Sequence, residues 1–339
     1  CIRDSMIFDQ ILFHNVEELE ETEKGYLLRR VCKKVRDGIS DGVQNNRFAT
    51  GVELRFRMTD GAVDLTLSSE LVAESATVHI FFGSFQGGGE YSSKNVGPGN
   101  TTIHIEYPTG MEKLRQLAEE YHLPYDPEVV RVVMPYTPCY YVGVKGKVEP
   151  PRSGDLPEKT YLAYGSSITH GSLGLIQPDS YAFRIAQQLG TDYLNLGFAG
   201  CALMEEEMAE YLISRKDWDF ASVEMGINAV GEKRRLELAE FERRIDRFTQ
   251  ILAADPRPVF ATSIFVFNGE DAEQELAEKM RRIVRRYAAE RLIFTDGLQL
   301  LGDPTLISAD CTHPSVRGIE QIAVRWGHIM QETLQMTDF

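Results

Sequence analysis

The sequence predicts two domains: an antiparallel β-sandwich, then a parallel β-sheet that helices cover on both faces. The chain has 339 residues, more than one hydrophobic core usually holds. In the first half apolar and polar residues mostly alternate, whereas in the second half strand-like and helical segments alternate. A proline-rich stretch, "KVEPPRSGDLPEK", separates the two halves. These patterns predict a sandwich over 1–148, a linker over 149–158 and an α/β domain over 159–339.

Five segments of the first half have the period-2 pattern of half-buried strands: "GVELRFRM", "AVDLTLS", "ATVHIFFG", "TTIHIEYP" and "VVRVVMPY". Turn-forming residues separate them, as is typical of an antiparallel sandwich. One interruption, "GMEKLRQLAEEYH", has helical spacing, with apolar residues at Met111, Leu114, Leu117 and Tyr121. The glycine-rich "FQGGGE" is not followed by a helix, which favours a hairpin or a flexible loop over a phosphate-binding loop.

Five strand candidates of the second half alternate with helical patterns: "TYLAYG", "DYLNLG", "FASVEMG", "PVFATSIFVF" and "RLIFTDG". The helices include "SYAFRIAQQLG", a long helix over about 232–254 and a last helix for which Pro314 suits the first position. Such alternation predicts a parallel five-stranded sheet flanked by helices. Ligands of these sheets bind at the carboxyl ends of the strands, so we expect the chemistry there.

The composition excludes several classes of partner and site. The chain carries 36 basic and 51 acidic side chains, a net charge of −15, whereas nucleic acids and anionic membranes require a basic surface. Its five scattered cysteines predict neither a disulfide framework nor a zinc site and favour a reducing, cytoplasmic location. No apolar run could span a bilayer, and no signal peptide is evident, although a leader removed earlier leaves secretion open. We expect no catalytic metal.

Four short segments, at strand ends or before the last helix, supply the parts that acyl transfer needs: "GSSITHG", "NLGFAG", "MGIN" and "DCTHP". Ser167 is the candidate nucleophile, and His313 is the base that would activate it. Asp310, three residues before His313, can hold the imidazole in the right tautomer. The N–H groups of Ser167 and Gly200 and the amide of Asn228 are candidate donors to the oxyanion. This chemistry needs no cofactor.

The four blocks resemble those of the SGNH hydrolases, also called GDSL esterases and lipases. That family carries Ser, Gly, Asn and His in four blocks along a flavodoxin-like α/β domain. The matching residues here are Gly165, Ser167, Ile168 and Thr169, then Gly200, Asn228, Asp310 and His313. The resemblance covers the second half of the chain and implies a serine esterase with a Ser-His-Asp triad.

Two positions depart from the family's pattern, because Ser166 and Ala229 stand where it usually carries Asp. Ser166 is also the rival nucleophile, but its position favours a local hydrogen bond to the backbone. The role of Asp310 is open as well, since some members of the family work with a Ser-His dyad in which a backbone carbonyl orients the histidine. Glu224, an acid at the end of a strand, is expected to pair with an arginine or with backbone donors.

A β-rich, jelly-roll-like domain before an SGNH domain resembles the layout of some carbohydrate acetylesterases. This layout implies a short acyl group, such as acetyl, on a sugar or similar polyol. His170, Cys201 and Phe267 are candidate substrate contacts, with a backbone-bonded histidine or core packing as the alternatives. Two other functions stay open: a lipase or thioesterase with a longer acyl pocket, and a non-catalytic glycan-binding protein. Homo-oligomer formation is open as well.

Overall fold

The computed structural model describes residues 6–39, 47–70, 76–87, 94–174, 176–231 and 236–336. The chain divides into two compact units. The first comprises residues 1–32, 46–159 and 190–192, and the second comprises residues 33–45, 160–189 and 193–339. The short helix α1 (Lys33–Gly38) therefore groups with the second unit although it lies early in the chain. The domain boundaries of the sequence analysis stay a prediction.

The first unit contains two antiparallel sheets. Its elements are β1 (Met6–Phe8), β2 (Ile11–His14), β3 (Glu18–Thr22), β4 (Gly25–Arg29), β5 (Glu53–Met58), β6 (Ala62–Ser69), β7 (Thr77–Phe82), β8 (Phe85–Gln86), β9 (Lys94–Asn95), β10 (Thr101–Glu106), α2 (Met111–Glu120), β11 (Val130–Val133), β12 (Cys139–Lys145) and β13 (Val148–Glu149). One sheet has the order β1-β2-β5-β11-β7-β8, with β13 beside β5 and β9 beside β7. The other has the order β10-β6-β12-β4-β3.

One hydrophobic core joins the two sheets. Leu54 and Phe56 of β5 enter it from one sheet, and Leu65 of β6 and Tyr141 of β12 enter it from the other. The alternation of buried and less buried residues along β6 and β10 confirms the period-2 prediction for those strands. The "FQGGGE" stretch begins as a hairpin, because β8 pairs with β7, and its residues 88–90 lie outside the described residues.

Strand β5 is wrongly predicted as half-buried, because all six of its residues are buried. Its polar side chains are buried as ion pairs on the sheet face opposite Leu54 and Phe56. Arg131 donates to the two carboxylate oxygens of Glu53 at 2.7 and 2.8 Å, and Arg55 Nε donates to Glu53 at 2.8 Å. Burial alone would raise the pKa of Glu53, but the two guanidinium groups lower it to about 2.

The second unit is built on a five-stranded parallel sheet with the order β15-β14-β16-β17-β18. Its elements after α1 are β14 (Thr160–Gly165), α3 (Ser167–His170), α4 (Tyr181–Leu189), β15 (Asp192–Gly197), α5 (Glu206–Ser214), β16 (Phe220–Glu224), α6 (Ile227–Val230), α7 (Leu238–Leu252), β17 (Val259–Thr262), α8 (Asp271–Arg291), β18 (Ile293–Thr295), α9 (Gly297–Leu300) and α10 (Val316–Met336). Helices α4 and α10 pack together, and α7 packs against α5 and α8. The predicted α/β architecture is confirmed.

Three predicted boundaries in this unit are wrong. The last helix begins at Val316, because the Ser315 hydroxyl accepts the N–H of Gly318 at 3.3 Å and caps it, whereas Pro314 forms a β-bridge before it. The fourth strand ends at Thr262, so Phe267 lies beyond it in a loop. The long helix begins at Leu238, and residues 232–235 of the predicted span lie outside the described residues.

Neither a membrane-spanning helix nor a metal-ligand cluster is present among the described residues. No helix among them is long and apolar enough to cross a membrane. No group of three or more His, Cys, Asp or Glu side chains in that part of the chain is placed to hold a metal ion.

Candidate active site

The nucleophile candidate lies at the turn between β14 and α3. Ser166 caps α3, because its Oγ accepts the N–H of Ile168 at 3.1 Å. Ser167 is the first residue of the helix, and Gly171 ends it with a left-handed φ of 96°. The Ser166 hydroxyl is thus engaged in the local hydrogen bond that the sequence analysis favours for it.

Ser167, His313 and Asp310 form a continuous chain of hydrogen bonds. Ser167 Oγ lies 2.7 Å from His313 Nε2, and His313 Nδ1 lies 2.5 Å from Asp310 Oδ2. These contacts join Ser167, which follows the strand β14, to a loop that precedes the last helix, α10. Chemically, the arrangement can remove a proton from the serine and hold the resulting imidazolium beside a carboxylate.

Asp310 is held as an acceptor by its own loop. Its Oδ1 accepts the N–H groups of Thr312 and His313, each at 3.0 Å. Burial by itself would raise the pKa of Asp310, but these two donors and the imidazole lower it below its ordinary value. The carboxylate therefore stays ionised across the neutral range, as the orientation of His313 requires.

Neighbouring segments hold the loop that carries His313. The N–H of Ser308 donates to the carbonyl of His313 at 2.7 Å. The N–H of Asn268 donates to the carbonyl of Cys311 at the same distance. Cys311 itself has a left-handed φ of 61°, so the loop turns sharply between Asp310 and His313. These bonds hold the imidazole on a loop that has no regular secondary structure of its own.

The candidate oxyanion donors come from three strand ends. Gly200 lies in the turn after β15 with a φ of 65°, a conformation that favours glycine. Asn228 lies in α6, and its Nδ2 is buried without an acceptor among the described residues. An unsatisfied buried amide is costly in a folded protein, which is consistent with a donor kept for a ligand. Ala229, where the family usually carries Asp, is fully buried.

The three predicted substrate contacts are all buried. The exposed fraction is 2% for His170, 1% for Cys201 and 6% for Phe267. The backbone N–H of His170 donates to the carbonyl of Ser166 at 2.9 Å. This burial fits the core-packing alternative for Cys201 and Phe267, and substrate contact by all three residues stays a prediction.

Two residues outside the predicted set hold the turn. Glu224, at the end of β16, accepts the N–H of Ser166 at 2.8 Å, so its partner is a backbone donor. Asn195 of β15 donates to the carbonyl of Thr169 at 2.9 Å, and its Oδ1 accepts the N–H of Gly197 at 2.8 Å. The sequence signal for Asn195 is a polar residue in the middle of the strand candidate "DYLNLG". The structure shows that all residues of this strand are buried.

Comparisons with protein-family models and with curated proteins gave no match. Among solved structures, the salicylyl-acyltransferase SsfX3 from a tetracycline biosynthetic pathway is 16% identical, with a TM-score of 0.68 over 94% of this chain and 93% of its own. A GDSL-like lipase from Bacteroides ovatus is 15% identical, with a TM-score of 0.67 over 96% of each chain. A family two carbohydrate esterase from Clostridium thermocellum, solved with cellohexaose, is 13% identical, with a TM-score of 0.58 over 84% of this chain and 92% of its own.

The chain has the SGNH hydrolase fold. This confirms the fold that the four sequence blocks imply and the architecture with an additional β domain. At these identities the likeness establishes the SGNH hydrolase fold alone, so the function is argued from the chemistry of the site.

Proposed function

We propose that the protein is a serine esterase of the SGNH type that hydrolyses carboxylic esters. The observation that carries the proposal is the chain of hydrogen bonds from Ser167 through His313 to Asp310, at 2.7 and 2.5 Å. A serine hydroxyl is a weak nucleophile unless a base lies beside it, and here the base is in turn held by an acid.

In the proposed mechanism Ser167 Oγ attacks the ester carbonyl while His313 Nε2 takes its proton. The N–H groups of Ser167 and Gly200 and Nδ2 of Asn228 stabilise the negative charge that develops on the carbonyl oxygen. His313 then gives its proton to the leaving alcohol, which leaves the acyl group on Ser167. Water activated by His313 finally releases the acid and restores the serine.

For the substrate we propose a short acyl ester, such as an acetyl group, on a sugar or similar polyol. Support comes from the whole-chain likeness to carbohydrate esterases, which includes an acetyl xylan esterase from Butyrivibrio proteoclasticus with a TM-score of 0.58 over 97% of each chain. The small residues at 200–202, of which Gly200 is exposed and Cys201 and Ala202 are buried, also form no evident channel for a long acyl chain in this described segment. A lipase or thioesterase with a longer acyl pocket and a non-catalytic glycan-binding protein are the alternatives.

A second candidate activity is transfer of the acyl group to an acceptor alcohol in place of water. The observation that favours it is the likeness to an acyltransferase, whose TM-score of 0.68 exceeds that of the carbohydrate esterases. Both activities share the acyl-enzyme. Adding increasing concentrations of alcohols and sugars to the assay separates them, because a transferase forms new ester at the expense of free acid.

The test of the hydrolase is a series of nitrophenyl esters of rising chain length, together with acetylated oligosaccharides. We expect the highest kcat/KM with acetyl esters. Ser167→Ala should lower kcat by about a thousandfold or more. Ser166→Ala is the matched control, because it removes the neighbouring hydroxyl, whose Oγ caps α3, and we expect at most a roughly tenfold effect from the lost cap.

The other outcomes of this assay have distinct meanings. Hydrolysis that survives Ser167→Ala contradicts the mechanism. A rate maximum at long acyl chains favours a lipase or thioesterase. Binding of oligosaccharides without turnover of any ester favours the glycan-binding protein.

A further inference from the structure

We infer that Glu224 is a positioning residue for the nucleophile, and that it acts by holding the backbone of Ser166 so that Ser167 presents both its hydroxyl and its N–H to the substrate. The inference rests on the proposed function. It assigns a role to a buried acid that the hydrolytic mechanism itself does not use, in a turn where the sequence lacks the acid usual for the SGNH pattern.

The hydrogen bonds of the turn support this role. The Ser166 N–H donates to Glu224 Oε2 at 2.8 Å, and the Ile168 N–H donates to Ser166 Oγ at 3.1 Å. Between them, the N–H of Ser167 has no acceptor among the described residues. The two flanking N–H groups are therefore engaged by side chains, and the N–H proposed for the oxyanion is the one left available.

The packing around Glu224 is consistent with a dedicated contact. A Cβ at Gly165 would lie 2.8 Å from Glu224 Oε2 and 2.1 Å from Thr169 Oγ1, so only glycine lets both side chains approach the turn. The Thr169 hydroxyl donates to Glu224 Oε2 at 3.4 Å and lies 2.6 Å from the Tyr181 hydroxyl. One carboxylate oxygen thus contacts Ser166 of the turn and Thr169 of α3, and the Thr169 hydroxyl extends the network to Tyr181 of α4.

Within the described part of the chain Glu224 is not half of a lysine or arginine ion pair, although the charge of His313 also acts to lower its pKa. It is 1% exposed, and among the described residues no lysine or arginine pairs with it. Its second oxygen, Oε1, has no hydrogen-bond partner in that part of the chain. Burial raises the pKa of Glu224, against the hydrogen bonds from Ser166 and Thr169. Burying a carboxylate without a lysine or arginine partner costs free energy. We attribute its presence here to the hydrogen bond that it accepts from the Ser166 N–H in the turn.

Two variants of Glu224 separate the effect of side-chain length from the effect of its charge. Glu224→Gln keeps the length of the side chain and an acceptor oxygen for the Ser166 N–H, whereas Glu224→Asp keeps the charge but withdraws the carboxylate by about 1.5 Å. We expect Glu224→Gln to retain kcat within about fivefold and Glu224→Asp to lose roughly 10- to 100-fold in kcat with little change in KM. The rate at which a fluorescent fluorophosphonate labels Ser167 should fall in parallel.

The matched control is Tyr161→Phe, which removes a buried hydroxyl bonded to Ser222 on the same two strands, β14 and β16. It should lower the thermal midpoint without slowing the labelling of Ser167. If Glu224→Asp does not fold, Glu224→Ala takes its place. Near-wild-type labelling in both Glu224 variants, or a larger loss in Gln than in Asp, overturns the inference. If Ser167 of the wild-type protein is not labelled at all, the proposed function is overturned too. Labelling of the wild-type protein therefore distinguishes failure of the proposed function from failure of the inference about Glu224.

Discussion

At the scale of single residues, the acid that the SGNH pattern places before the nucleophile is replaced by one from another strand. Ser166 stands at that position, and Glu224 of β16 supplies a carboxylate to the same turn. An uncharged residue at 166 suits this arrangement, because two buried carboxylates side by side would repel each other.

Ser166→Asp is therefore expected to lower stability and kcat while Glu224 is present. In Glu224→Gln the same substitution should do less harm, because only one carboxylate then lies in the turn. A double-mutant cycle on the free energy of unfolding should give a coupling of about 0.5–3 kcal/mol between the two positions. Additive effects in urea denaturation would show that the two side chains do not interact.

At the scale of elements, the contact between β15 and α3 depends on a glycine at the end of the strand. A Cβ at Gly197 would lie 2.1 Å from the backbone nitrogen of His170, closer than backbone atoms can accommodate. Asn195 of the same strand holds the Thr169 carbonyl. The end of β15 thus packs directly on the helix that begins with Ser167.

Gly197→Ala should displace α3 and lower kcat more than tenfold, with a loss of about 1–3 kcal/mol in stability from overpacking. Gly231→Ala is the control, because a Cβ there meets nothing within 4 Å. Kinetics with nitrophenyl acetate and thermal unfolding of both variants check the expectation. Equal effects of the two substitutions would contradict it.

At the scale of the whole molecule, the first unit carries buried ion pairs. Glu53 is fully buried between Arg55 and Arg131, and its folded pKa of about 2 lies below the ordinary value of 4.5. The ionised carboxylate therefore stabilises the first unit above pH 4.5. That contribution is lost as the pH falls from 4.5 toward about 2.

Arg131→Met should destabilise the first unit by about 3–5 kcal/mol at neutral pH, because it leaves the buried Glu53 carboxylate with only one of its two arginine partners, Arg55. Hydrogen-exchange mass spectrometry on the peptides of β5 and β11 measures the loss in that unit. Lys147→Met, which removes an exposed pair with Asp60, should cost less than about 1 kcal/mol. Similar losses in the two variants would contradict the buried-pair interpretation.

The sequence by itself determined the type and order of most elements. Period-2 runs predicted β5, β6, β7, β10 and β11, and βα alternation predicted all five strands of the parallel sheet. The first four strands of the chain were not predicted, since segments such as "ELEET" in β3 lack an apolar alternation. Local patterns suffice where one face of an element packs on a core.

The candidate catalytic blocks could likewise be named from the sequence, because acyl transfer demands particular residue types in a particular order. The meeting of Ser167 with His313 follows the order of these blocks, whereas only the tertiary structure decided that Ser166 meets Glu224 and that Glu53 meets Arg131. The physical reason is that these contacts join side chains from distant parts of the chain. Desolvation and hydrogen-bond geometry select such partners only after the strands have paired.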